Sequence, residues 1–320
     1  MEVFKLTLTQ MLLMFVLMAL GFALKKGKKL PDQAHVVMAR LETYAFTPAL
    51  MLYSQMTKCT VENFSVYWTL ILAGFLVTLS AVLLSYPLSR LFVPHAAQSA
   101  ARAYQRCVYQ YAMGFGNFGF MGNFIILGVF GSDMFFRYGL FTLGMNIMSS
   151  SFGLYILIPK EQGASFAQNL KKGIFAPPIV AMICGMVLGL TGLSRYMPEF
   201  FIKALDSAGN CQGPVAMLLA GLVIGGYGMK EMLLNKKVYV ASFMRLIVLP
   251  TAAVLIVRAL GGDQGLQILT LIAVGTPLGL NTVVYPSAYG GDPKTGASMA
   301  MISHTLSVLT IPLMYLLLIG

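Results

Sequence analysis

Charge is scarce in this 320-residue chain: charged residues make up only 10%, where a soluble globular protein carries about 25%. Acidic residues are scarcer still, 11 against 22 Lys and Arg, and there is a single tryptophan. The four cysteines (Cys59, Cys107, Cys184, Cys211) never fall in a CxxC spacing, which excludes a zinc or iron–sulfur site and a disulfide framework. HExxH, GxSxG and P-loop motifs are missing, so the chain carries no visible metal site, nucleophile set or ATP-driven module. These absences predict a protein that is not an enzyme and holds no cofactor. What is present is hydrophobicity: 58% of the residues are apolar. That composition predicts an all-α polytopic membrane protein, whose only bulk partner is the lipid bilayer.

A membrane helix needs about 20 mostly apolar residues. Runs that meet this lie near 4–24, 34–57, 66–89, 105–130, 135–158, 174–192, 200–226, 239–260, 266–290 and 298–318, and we number them helices 1 to 10. The first run is followed, not preceded, by positive charge at Lys25, Lys26, Lys28 and Lys29, so it reads as a retained helix and not as a signal peptide. With the amino terminus outside, 16 of the 22 basic residues fall in or beside the inner loops, and Lys5, Lys58, Arg137, Arg195, Lys203 and Arg258 fall outside. This bias sets orientation, so both termini are expected outside the cytoplasmic membrane. The net charge of +11 is accordingly read as topology and not as a nucleic-acid footprint.

Five helices per half, the halves entering from opposite sides, require any internal repeat to be inverted. Two landmarks support one. Pro48 in helix 2 and Pro214 in helix 7 stand 166 positions apart, and Asn117 in helix 4 and Asn281 in helix 9 stand 164 apart. Helix 4 carries Gly114, Gly116, Gly119 and Gly122, and helix 9 carries Gly275, Pro277, Gly279 and Pro286. Glycine and proline weaken helices, and freed backbone groups are tolerated at membrane depth only inside protein or along a wet cavity. Helices 4 and 9 therefore read as broken. Interrupted segments at matching positions of two halves point to a transporter substrate site, and their half-helix amino termini suit an anion.

At these residues the chain resembles the auxin efflux carrier family, in its bacterial malate/malonate-transporter-like branch. The segments that carry the resemblance are Pro48-Ala49-Leu50, Gly116-Asn117-Phe118-Gly119-Phe120-Met121-Gly122, Leu205-Asp206 with Gly209-Asn210 and Pro214, and Arg245-Leu246-Ile247-Val248-Leu249-Pro250. The strongest match runs through Pro277, Asn281, Tyr289-Gly290-Gly291-Asp292 and Ala297-Ser298 to Thr310-Ile311-Pro312. The resemblance implies ten transmembrane helices in two inverted five-helix repeats, 1–158 and 174–320, joined by a cytoplasmic loop at 159–173. Helices 4 and 9 would cross at their unwound centres, as in bile-acid sodium symporters. Helices 1, 2, 6 and 7 would form a scaffold, through which a homodimer forms, and helices 3–5 and 8–10 a transport domain moving as an elevator. The implied substrate is a small organic anion, a mono- or dicarboxylate such as malate or malonate.

Site residues follow from both readings. Asn117 and Asn281 are expected to donate to a carboxylate or to close freed backbone groups, with Gly116, Gly122, Pro277 and Pro286 shaping the breaks. Pro48 and Pro214 shape the scaffold side. Asn123, where the family usually has proline, either leaves the first crossover less sharply broken or adds a polar contact to the site, and Asn146 is a further polar neighbour. His304 is read either as a site residue or as a satisfied packing residue. Asp206 is the proton-coupling candidate, or else an interface residue paired with Lys203 on the same helix face. Glu42 is expected to pair with Arg40 at the interface, and Arg245 and Arg106 to sit at the membrane surface. That would leave few fixed cations at the centre, so that amides and helix dipoles supply the complementarity. Two alternatives stand beside this reading. One is a sodium-coupled organic anion symporter, although neither break holds an acidic residue; the other is a membrane sensor or enzyme with no visible catalytic motif.

Overall fold

The computed structural model describes residues 1–159, 165–288 and 290–320. Among them the fold is all-helical, apart from one isolated antiparallel β-bridge between Gly116 and Leu278. Six stretches are long and apolar enough to cross a membrane: Glu2–Lys26, Val61–Phe92, Phe118–Leu157, Glu199–Gly225, Lys236–Ala259 and Lys294–Leu318. The pair Phe166–Ile174 and Pro177–Leu190, bent by 45°, passes the same criterion only if its two pieces are one span. This is a polytopic membrane protein. Tyr289 and part of the 159–173 loop lie outside the described residues.

Several expected helices are built from pieces, and the sequence shows why. The 34–57 run becomes Ala34–Leu41, a π-turn at Glu42–Phe46 and the helix Thr47–Lys58. The 239–260 run likewise becomes Lys236–Phe243, a π-turn at Met244–Val248 and Leu249–Ala259. Each π-turn ends two residues before a proline, Pro48 or Pro250. Proline cannot donate to the turn below it and its ring crowds the carbonyl four residues back, which a wider turn relieves. Elsewhere the ends are set by side-chain caps. The Thr60 hydroxyl accepts from the Asn63 amide, Ser99 from Arg102 and Asp263 from Leu266. Ser165 and Gln168 form a reciprocal capping box at the start of Phe166–Ile174.

Expected helices 4 and 5 are partitioned differently from the sequence reading. Ala100–Gly114 ends before an extended Phe115, and after Asn117 a π-turn at Phe118–Gly122 leads into Asn123–Met148. The turn between the two expected helices is made inside that last stretch at Gly131, with φ 79° and ψ −175°. This region is essentially closed to side chains. A Cβ placed on Gly131 would meet nothing within 4 Å, so the constraint there is backbone conformation alone. Gly131→Ala is therefore expected to destabilise the protein by about 1–3 kcal/mol without any steric clash. Thermal unfolding in detergent measures this, and a neutral alanine would show that the turn is made elsewhere.

Candidate functional site

The two broken segments meet. Gly116 and Leu278 form the β-bridge, and the Asn117 backbone N–H donates to the Pro277 carbonyl at 2.8 Å. The neighbouring freed groups also find partners. The Leu278 N–H donates to the Ser303 hydroxyl at 3.1 Å, and the Tyr138 hydroxyl donates to the Phe118 carbonyl at 3.0 Å. The Gly114-Phe115-Gly116-Asn117-Phe118-Gly119 spacing formally matches a dinucleotide fingerprint, but it follows a helix and serves this junction instead.

Arg245 is the largest fully buried side chain, and it overturns the expectation that it lies at the membrane surface. The π-turn before Pro250 carries it inward. Its Nη1 donates to the Met113 carbonyl at 2.9 Å and its Nε to the Thr276 carbonyl at 3.4 Å, so one guanidinium ties the last turns before both breaks. Its Nη2 has no protein partner and lies directly behind Gly116, where a Cβ would run into it. The junction thus has one fixed cation behind it, the residue that the sequence reading sets at the membrane surface. Glu42 is also corrected: it is fully buried and takes no ion pair with Arg40, which is exposed.

A cavity of about 890 Å³ opens over the junction. Gly116, Asn117, Asn123, Asn146 and Asn281, all expected site residues, border it. The Asn123 Nδ2 has no protein partner, which leaves a donor beside the cavity. Asn281 donates to the Tyr111 hydroxyl at 2.9 Å, and that hydroxyl meets the Ser149 hydroxyl at 2.9 Å. Asn146 donates to the Thr142 carbonyl of its own helix. Thr43 and Thr47 also line it, and the exposed Gln168, Lys171 and Lys172 stand at its mouth. No Asp or Glu is among the described lining residues.

The other expected residues stand off the cavity. His304 lies behind Asn117: its Nδ1 is 2.7 Å from the Ala300 carbonyl and its Nε2 is 3.0 Å from Asn117 Nδ2. A carbonyl can only accept, so Nδ1 carries the hydrogen and Nε2 accepts from the asparagine amide. Gly122 packs against the Tyr138 ring, Pro277 contributes its carbonyl, and Pro286 accepts from the Gly291 N–H at 2.8 Å. Pro48 and Pro214 are half-buried and do not border the cavity. Neither does Asp206, whose Oδ1 accepts from Asn210 at 3.4 Å; Lys203 pairs with Glu199 at 2.7 Å and not with Asp206. Lys171 and Lys172 were read from sequence as topology charges. The signal for them is the Ser165–Gln168 capping box, which announces a short helix, Phe166–Ile174, that carries two lysines in its last turn.

A family model described as "Membrane transport protein" matches residues 6–166 and 164–315. The chain belongs to the membrane transport protein family. This bears out the resemblance to the auxin efflux carriers at the level of the family. Two relatives are archaeal proteins named uncharacterized transporters. One, from Methanocaldococcus jannaschii, is 27% identical over 204 residues, covering 62% of this chain and 64% of its own. The other, from Methanothermobacter thermautotrophicus, is 25% identical over 198 residues, covering 62% and 63%. The chain thus spans just under two thirds of the length of these relatives.

The Asn117–His304 contact lends itself to a double-mutant cycle. Asn117→Ala and His304→Ala are each expected to lower the unfolding midpoint, and the double variant to lose less than the sum, with a coupling of about 1 kcal/mol. Additive losses in detergent unfolding would show that His304 packs without holding Asn117.

Proposed function

We propose that the chain is a secondary transporter that moves a small organic anion, a mono- or dicarboxylate such as malate or malonate, across the cytoplasmic membrane by alternating access. The observation that carries this reading is the charge pattern of the cavity. Amide and hydroxyl donors line it, two lysines flank its mouth, an unpaired guanidinium lies behind its glycine wall, and no described lining residue is acidic. A cation would find no carboxylate there, whereas a carboxylate would find hydrogen-bond donors and positive potential from two directions.

The proposed architecture is ten membrane helices in two inverted five-helix repeats, with both termini outside and the lysine-flanked mouth toward the cytoplasm. Reciprocal packing supports it. Glu2–Lys26 packs along Gln212–Gly225, and Pro177–Leu190 packs along Thr47–Lys58. Gly21 backs onto the Leu218 carbonyl; Gly185, 164 positions later, backs onto the carbonyl of Leu52, which precedes Leu218 by 166. These offsets match those of the paired asparagines and prolines. In this reading these four helices are the scaffold, and the segments bearing the breaks move against them.

Sodium coupling is the weaker alternative. A sodium site at the junction would draw on backbone carbonyls, and those of Met113, Thr276, Pro277 and Phe118 already accept protein hydrogen bonds.

The test is uptake of labelled malate and malonate into proteoliposomes. Asn281→Ala is expected to reduce kcat/KM at least about tenfold, equivalent to about 1.4 kcal/mol. Replacing Lys171 and Lys172 with alanine is expected to raise KM more at low than at high ionic strength, because exposed charges are screened by salt. Wild-type vesicles that take up no carboxylate at all, while transporting a cation, would overturn the reading.

A further inference from the structure

Glu42 is the one acidic side chain that is fully buried among the described residues, and the transport reading leaves it unused. It opens the π-turn that precedes Pro48, and its relative exposure is 0%. Its only hydrogen-bond donor is the Thr47 hydroxyl, 3.3 Å from Oε2, and Oε1 has no partner. The elements packed against this turn are Ala34–Leu41, Thr47–Lys58, Pro177–Leu190, Glu199–Asn210 and Gln212–Gly225. Their titratable and charged groups are His35 and Arg40, Tyr53 and Lys58, Cys184, then Glu199, Lys203 and Asp206, with none on the last. None forms an ion pair with Glu42. An ionised carboxylate held in protein interior with one neutral donor costs several kcal/mol, which the neutral acid avoids.

Thr47 connects this carboxyl to the transport cavity, because the same side chain borders the cavity. A threonine hydroxyl has one hydrogen to donate. It can serve Glu42 or an anion in the cavity, but not both. We propose that Glu42 is the proton site of an anion–proton symport, loaded through Thr47. When a carboxylate enters, the Thr47 hydroxyl turns to it and Glu42 loses its donor, while the anion's charge opposes a second negative charge nearby. Both effects favour the protonated acid, so the anion and one proton bind cooperatively, and by linkage the proton favours the anion equally. On release to the other side the anion leaves, the hydroxyl returns to Glu42 Oε2, and the proton departs to water. One proton accompanies each anion, so a monocarboxylate crosses with no net charge and a dicarboxylate dianion with one negative charge.

This inference rests on the carboxylate reading of the cavity, and two measurements separate them. Infrared spectra of the reconstituted full chain are expected to show a protonated-carboxyl C=O stretch at acid pH that fades as the pH rises and is missing in Glu42→Gln; this needs no substrate. In proteoliposomes with the membrane potential clamped, a gradient of one pH unit, alkaline inside, is expected to drive about tenfold accumulation of a labelled monocarboxylate such as lactate by the wild type. Glu42→Gln, a fixed mimic of the neutral acid, is expected to bring that ratio to unity while still exchanging lactate by counterflow. Thr47→Val is expected to flatten the pH dependence of lactate KM, which a purely structural threonine would not do. A Glu42→Gln protein that still accumulates lactate with the gradient, or a wild type without the carboxyl band, overturns the proton site. A wild type that has the band yet exchanges no carboxylate overturns the substrate reading, and with it the symport.

Discussion

Backbone groups released inside a membrane protein have no water to turn to, and the fold is organised around closing them. Each broken segment leaves carbonyls and N–H groups that its own helix cannot use. The structure closes them against one another, through the Gly116–Leu278 bridge and the Asn117 bond to Pro277, and then against a ring of side chains. Arg245 takes a carbonyl from each side, Ser303 takes an N–H, and Tyr138 takes another carbonyl. Most of the supporting side chains are thus committed to the backbone. What is left over for a ligand is small and definable: the Asn123 amide and the unpartnered face of the Arg245 guanidinium behind Gly116, since the Thr43 hydroxyl donates to the Ala39 carbonyl and the Thr47 hydroxyl to Glu42.

The breaks were legible in the sequence because glycine and proline act locally. Gly116, Asn117, Pro277 and Asn281 sit at the junction because no regular helix can be built through their neighbourhood. Buried charge was not legible in the same way. Glu42 and Arg245 stand near the ends of apolar runs, where a charge ordinarily meets the membrane surface, and a regular helix would leave them there. Each instead falls in the π-turn forced by the proline that follows, which adds a residue to the turn and rotates the side chain inward. The role of His304 depended on a partner 187 residues away, and no local pattern announces such a contact.

In the proposed anion reading, Arg245 supplies the energetic ground. A buried guanidinium without an acidic partner is costly, and carbonyl dipoles compensate it only in part. In this chain that uncompensated charge is separated from the cavity by one glycine, so an anion entering there relieves an electrostatic penalty already present in the empty protein. Any side chain at Gly116 would both block the bridge and screen the cation. The glycine therefore serves packing and electrostatics with the same missing atom.

Glu42 and Arg245 are a buried acid and a buried base that do not pair with each other, although pairing is the usual way a protein tolerates such groups. Had they met, each would have cancelled the other, and the cavity between the walls would have lost both its positive potential and its titratable acid. Held apart on separate proline-generated turns, they remain responsive. On the proposed mechanism the cation would gain when an anion arrives, and the acid would gain a proton at the same moment, because both would respond to the same added negative charge. In this account coupling needs no dedicated relay between the two groups; it follows from placing an unpaired acid and an unpaired base around one cavity.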